Sequence, residues 1–147
     1  MGKKEVVGQL RSIQADALAL FVKIHNYHWN IKGLQFASIH AYTEGLYDKA
    51  AEIYDDTAER ILQLGSKPVL TIDEIAKNTK IKTEKNDSFD TKYVLDNIYK
   101  DFTHLLEEFK NLSNLAEKEG DKATVAYADD KTKEFEKELW KLKQTLD

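Results

Sequence analysis

The chain has 147 residues, a net charge of −4, one proline and no cysteine. That length suits one domain with a real core. The charge disfavours nucleic acid as a partner, and the lack of cysteine excludes disulfides and thiolate metal sites. No apolar run approaches a membrane span and no apolar signal segment opens the chain, so the expectation is a cytoplasmic protein with no membrane partner.

The first helical stretch is expected over residues 4–31. Its apolar seam runs Leu10, Ile13, Ala17, Leu20, Ile24, Tyr27 and Ile31, in alternating steps of three and four. Beside it lies a second stripe, Leu18, Phe21, His25 and His28, and between Ala17 and Ile31 the only formal charge is Lys23. A helix apolar over so much of its circumference packs on more than one side, one side facing its own bundle and another facing a neighbouring subunit. Gly33 supplies the stop signal.

Ser38 is the expected N-cap of a second helix over residues 38–64, which Gly65 and Pro68 terminate. Thr71-Ile-Asp-Glu74 is a capping-box pattern opening a short helix that runs to about residue 77. After a polar stretch, residues 83–90, the third long helix carries its seam at Leu95, Ile98, Phe102, Leu105, Phe109 and Leu112 and ends near Gly120. The fourth, residues 121–146, carries Val125, Ala128, Thr132, Phe135, Leu139, Leu142 and Leu146. The expected fold is therefore an all-α four-helix bundle with a short extra helix between the second and third long helices, in a single domain over residues 1–147.

The chemistry concentrates at His28, His40, Asp55 and Glu59. Imidazole and carboxylate together suit first-row metals such as iron or zinc. Asp55 and Glu59 are an i, i+4 pair on one helix face and can share a ligand. His40 lies fifteen positions before Asp55, roughly 22 Å away along one helix at about 1.5 Å per residue, whereas metal–ligand bonds are about 2 Å. His40 and Asp55 can meet at one metal only if they come from two antiparallel copies related by a two-fold axis.

On the same helix Glu44, Asp48, Glu52, Asp55 and Glu59 fall within an arc of roughly 80°, with no lysine or arginine interleaved. A solvated polar face is the ordinary reading of such a charge run; a surface that meets cations is the functional one. Spacing leaves His25 and His28 equal as ligands, and Asp101 with His104 on the third helix is another i, i+3 carboxylate–imidazole pair. Glu117, Glu119, Asp121, Asp129 and Asp130 read first as surface charge, with Asp121 as a helix cap. Trp29 reads first as packing, and beside a redox metal as an electron donor.

At these residues the sequence resembles a known family. His25-Asn-Tyr-His28-Trp29-Asn-Ile-Lys-Gly33, then His40, then Asp55-Asp56-Thr-Ala-Glu59-Arg60-Ile-Leu-Gln-Leu-Gly65 are similar to motifs of the Dps mini-ferritins. The tail from Ala116 to Asp130, with Trp140, resembles their neutrophil-activating subgroup. The resemblance implies a ferritin-like bundle and a ferroxidase site with two iron ions, bound by His28 and His40 of one subunit and Asp55 and Glu59 of its two-fold mate. It selects His28 over His25. It further implies a hollow dodecamer that oxidises Fe(II), preferably with hydrogen peroxide, and stores the ferric product.

In that frame Glu44, Asp48 and Glu52 are candidate mineral-nucleating carboxylates, and Asp121 and Asp130 are candidates for a three-fold pore that admits iron. The amino-terminal Lys3 and Lys4 are not the lysine-rich arm some family members carry, so DNA binding is expected to be weak or absent. Two other functions compete with iron storage: a DNA-compacting or host-cell-interacting shell with a vestigial metal site, and a zinc clamp at the dimer interface.

Overall fold

The computed structural model describes residues 2–147, and five helices account for most of them: α1 (Gly2–Asn30), α2 (Phe36–Gln63), α3 (Ile72–Asn78), α4 (Thr91–Glu119) and α5 (Lys122–Leu146). Every residue of the predicted α1 seam is buried, as is the whole α4 seam from Leu95 to Leu112. Phe135 of α5 closes the core between Phe102 and Phe109, with ring centroids 5.0 and 5.7 Å away.

Hydrogen bonds along α1 show how the chain crosses over. Arg11 Nε donates to Lys67 O, Gln14 Nε2 to Val69 O, Asn26 Nδ2 to Glu84 O and Asn86 O, and Lys32 N to Phe89 O. The segment after α2 thus climbs α1 from its N-terminal half to its end, and α3 docks on α1 on the way. α4 then starts at the far end and descends beside α1, so α2 and α4 run parallel. Two helical hairpins joined by one long crossover are the ferritin-type connectivity.

The helix ends follow local chemistry. Thr71 Oγ1 accepts from Glu74 N at 3.1 Å, the expected cap of α3, and Asp90 caps α4 by accepting from Tyr93 N at 2.8 Å. At the tight α4–α5 turn Gly120 has φ +72°, a left-handed conformation that disfavours any side chain.

The start of α2 differs from the sequence expectation. The helix begins at Phe36 after Gln35, which gives no side-chain cap, and Ser38 lies inside the first turn with its hydroxyl donating back to Gln35 O at 3.1 Å. Gly33, at φ +114°, turns the chain so early that Phe36 N already donates to Gly33 O. The backbone turn supersedes the hydroxyl cap.

Candidate metal centre

Two turns of sequence at the α1–α2 corner build the imidazole half of the site. His28, in the last turn of α1, is buried, and its ring stacks on that of His40 in the first turns of α2 with centroids 3.6 Å apart. Phe36 stacks on the other side of His40, and Tyr47 meets His28 edge-on.

The hydrogen bonds choose the tautomers. Thr43 Oγ1 donates to Ile39 O at 2.8 Å, so toward His28 Nδ1, 3.1 Å away, it is an acceptor. His40 Nδ1 lies 2.8 Å from His28 O, which can only accept. Both rings therefore carry their proton on Nδ1 and keep the Nε2 lone pair free, the arrangement that orients metal-binding histidines. Burial pushes His28 below the usual histidine range, which favours the neutral, ligating form.

His25 faces a different neighbour. Its Nδ1 lies 2.7 Å from Phe21 O and its ring stacks on Tyr47 at 3.7 Å. Trp29 packs against His25 at 5.3 Å and remains 63% exposed.

The carboxylate half lies further along α2. Asp55, Asp56 and Glu59 are exposed, and one oxygen of each comes within 4.8 Å of the others. Asp56 was not singled out by sequence reasoning, although its i, i+3 spacing to Glu59 carried the signal. Among the described residues no lysine or arginine pairs with Asp55, Asp56 or Glu59, nor with Glu44, Asp48 or Glu52. The nearby cations are engaged away from the arc, Lys49 with Glu134 and Arg60 with Asp121. α2 is continuous between the two halves, so in one chain His40 and Asp55 stand roughly 22 Å apart along its axis.

Other candidates resolve differently. Asp101 and His104 do not form a pair: Lys23 takes Asp101 at 2.6 Å, and His104 Nε2 turns to Asp16 at 2.8 Å, because the facing helix α1 offers each a stronger partner. Asp121 caps α5, accepting from Thr124 N, and binds Arg60 at 2.8 Å; Asp130 is exposed.

A helical pair with one crossover, stacked imidazoles and a carboxylate arc defines a ferritin-like protein, and a ferritin-like domain is matched over residues 7–147. The chain is 49% identical over 137 residues to the DNA protection during starvation protein of Helicobacter pylori, covering 93% of this chain and 95% of that one. The crystal structure of Helicobacter cinaedi CAIP superposes with a TM-score of 0.96 at 44% identity, covering 97% of this chain and 99% of that one. The Vibrio cholerae Dps protein, described as a member of a broad superfamily of ferritin-like diiron-carboxylate proteins, gives 0.95 at 29% identity over 99% of this chain and 91% of its own. The chain belongs to the Dps family of ferritin-like proteins.

Asp121 yields a pH-dependent prediction. Burial alone would raise its pKa, but hydrogen bonds from Thr124 and the Arg60 guanidinium outweigh that and hold it below the ordinary 3.8. A depressed carboxylate stabilises the fold above its unfolded pKa, and that contribution is lost as pH falls through the folded value. Asp121→Ala should cost about 0.5–2 kcal/mol at neutral pH. The gap between mutant and parent melting temperatures should close in acid, on descent below pH 3.8.

Proposed function

We propose that this protein stores and detoxifies iron. It oxidises Fe(II), preferably with hydrogen peroxide, at ferroxidase sites shared between subunits, and keeps the ferric product inside a hollow dodecamer. The observation that carries this reading is the pair of Nε2 atoms at His28 and His40, with His40 set apart along one continuous helix from the unpaired Asp55 and Glu59. Two-fold packing would bring one chain's imidazoles to its mate's carboxylates. The partly open stripe of α1, where Leu18 and Phe21 are only half-buried and Val22 is 54% exposed, supports a neighbouring copy on that face.

In this reading Fe(II) is the substrate. Two Fe(II) ions each give one electron to hydrogen peroxide; its O–O bond breaks, and with two waters the products are two ferric oxyhydroxide units and four protons. Pairing the electrons avoids a hydroxyl radical. Imidazoles and carboxylates together are a donor set that accepts divalent iron. Glu44, Asp48 and Glu52 would face the interior as nucleating carboxylates, and Trp29 would stand ready as a redox neighbour. Asp130 with Asp121 would line the three-fold pore, although Asp121 would then have to share its charge with Arg60. The cytoplasm is the proposed location.

Anaerobic loading with Fe(II), followed by peroxide and a record of ferric absorbance, tests this function. His28→Ala, His40→Ala, or Asp55→Ala with Glu59→Ala should each abolish the fast phase while the shell still elutes at roughly twelve times the 16.9 kDa chain mass. His25→Ala should keep it. Thr43→Val removes the acceptor for His28 Nδ1 and should weaken iron binding by about 10–100-fold. A fast phase that survives loss of either half would overturn the assignment.

DNA compaction is disfavoured, since few phosphates can be neutralised by a chain of net charge −4. Linear duplex should run unretarded with micromolar protein at about 150 mM salt, near physiological ionic strength; a retarded band would show that a local basic patch outweighs the global charge.

A further inference from the structure

Away from the α1–α2 corner, α1 and α4 bring a second set of ligating side chains together. Asp16 is fully buried, and Glu108 is 8% exposed. Each carboxylate has one oxygen held by donors. Asp16 Oδ1 accepts from Thr79 Oγ1 at 2.7 Å and Lys80 N at 2.8 Å. Glu108 Oε1 accepts from Ser12 Oγ at 2.8 Å and Gln9 Nε2 at 3.3 Å.

The other two oxygens converge on one imidazole nitrogen. His104 Nε2 lies 2.8 Å from Asp16 Oδ2 and 3.3 Å from Glu108 Oε2. Glu108 Oε2 is buried and accepts from no donor among the described residues; without a cation it is satisfied only by holding a proton shared with Asp16. A buried carboxylate oxygen without a donor is costly unless something occupies its lone pairs.

We propose that Asp16, Glu108 and His104 form an intrachain site for one first-row divalent cation, bound through Asp16 Oδ2, Glu108 Oε2 and His104 Nε2. The proposal is independent of the iron-oxidation reading, since it uses none of the same residues and needs no second copy. One nitrogen and two carboxylate oxygens are a donor set that zinc, iron(II) and manganese(II) accept. The 3.3 Å from His104 Nε2 to Glu108 Oε2 matches the ~3.4 Å edge of a tetrahedron with bonds of about 2.1 Å, whereas the 2.8 Å to Asp16 Oδ2 is a hydrogen-bond distance that a cation would have to widen. The Thr79, Lys80, Ser12 and Gln9 donors are the outer partners that fix ligating carboxylates. His104, its side chain 30% exposed, leaves an approach from solvent and room for a water as fourth ligand.

Without a cation the two carboxylates compete for a proton. Burial, then the neighbouring Asp16, pushes Glu108 up to about 8. Burial would raise Asp16 too, but hydrogen bonds with Glu108, Thr79, Lys80 and His104 outweigh it and hold Asp16 below the ordinary carboxylate range. Cation binding must displace that proton, so affinity should fall as pH drops. A cation here would staple α1 to α4 and to the strap that follows α3.

The test is equilibrium dialysis of the assembled protein against Zn²⁺, with bound zinc counted per chain. Glu108→Gln is the informative variant, because a neutral amide resembles the protonated carboxyl that the fold already accommodates. His104→Gln is the second. Each should bind about one zinc per chain fewer than the parent while keeping the parent's fast iron-oxidation phase. With Co²⁺ as probe, the variants should also lose visible absorption that the parent shows. Equal zinc counts in parent and both variants would overturn the proposal and leave His104 as a plain ionic bridge between two carboxylates.

Discussion

The unbroken length of α2 is the constraint on which the rest depends. It runs 28 residues from Phe36 to Gln63 without a break, and its buried Thr43 and Thr57 satisfy their hydroxyls on the carbonyls four residues back. A rigid rod of that length fixes His40 near one end and Asp55 and Glu59 near the other. No side-chain rotation closes roughly 22 Å. If these residues serve one metal, the fold requires a second chain, and association and catalysis become the same event.

The two halves are prepared by opposite means. His28 is buried and the half-buried His40 stacks on it, with Nδ1 protons directed at Thr43 and at His28 O, so each Nε2 is left for a cation. The carboxylates are exposed and unpaired, because Lys49 and Arg60 are drawn off toward Glu134 of α5 and its N-cap Asp121. Exposed like charges repel only modestly in water, so an arc of acids costs the free chain little. It would become a stronger cation surface where a neighbour excluded that water.

Much of this was legible in the sequence, because helical periodicity is a local signal. The α1 and α4 seams predicted from three-and-four spacing are the buried core, and Thr71 and Asp121 cap the helices that their positions suggested. Ser38 misled because a hydroxyl N-cap is one way to start a helix and a glycine turn is another; Gly33 supplied the turn first. Asp101 and His104 misled for a different reason. Their i, i+3 spacing was correct, but Lys23 and Asp16 on α1 are better partners, and nothing local to α4 reveals them. Of the Asp16–His104–Glu108 cluster, the i, i+4 pair His104 and Glu108 is local to α4, but Asp16 joins it only after α1 and α4 pack. Family likeness, not spacing, distinguished His28 from His25; the structure adds that His28 stacks on His40, whereas His25 lays its face on Tyr47.

The central claim is that the imidazole and carboxylate halves of one site come from different chains, and mixing two inactive variants tests it most directly. His40→Ala chains are dissociated and reassembled with Asp55→Ala/Glu59→Ala chains. A mixed dimer then holds one site with both halves intact and one with neither, so the mixture should regain part of the fast peroxide-driven iron oxidation that each variant lacks alone. A site built within one chain can never be restored this way. No recovery, with mixed assembly verified by mass, would contradict the account.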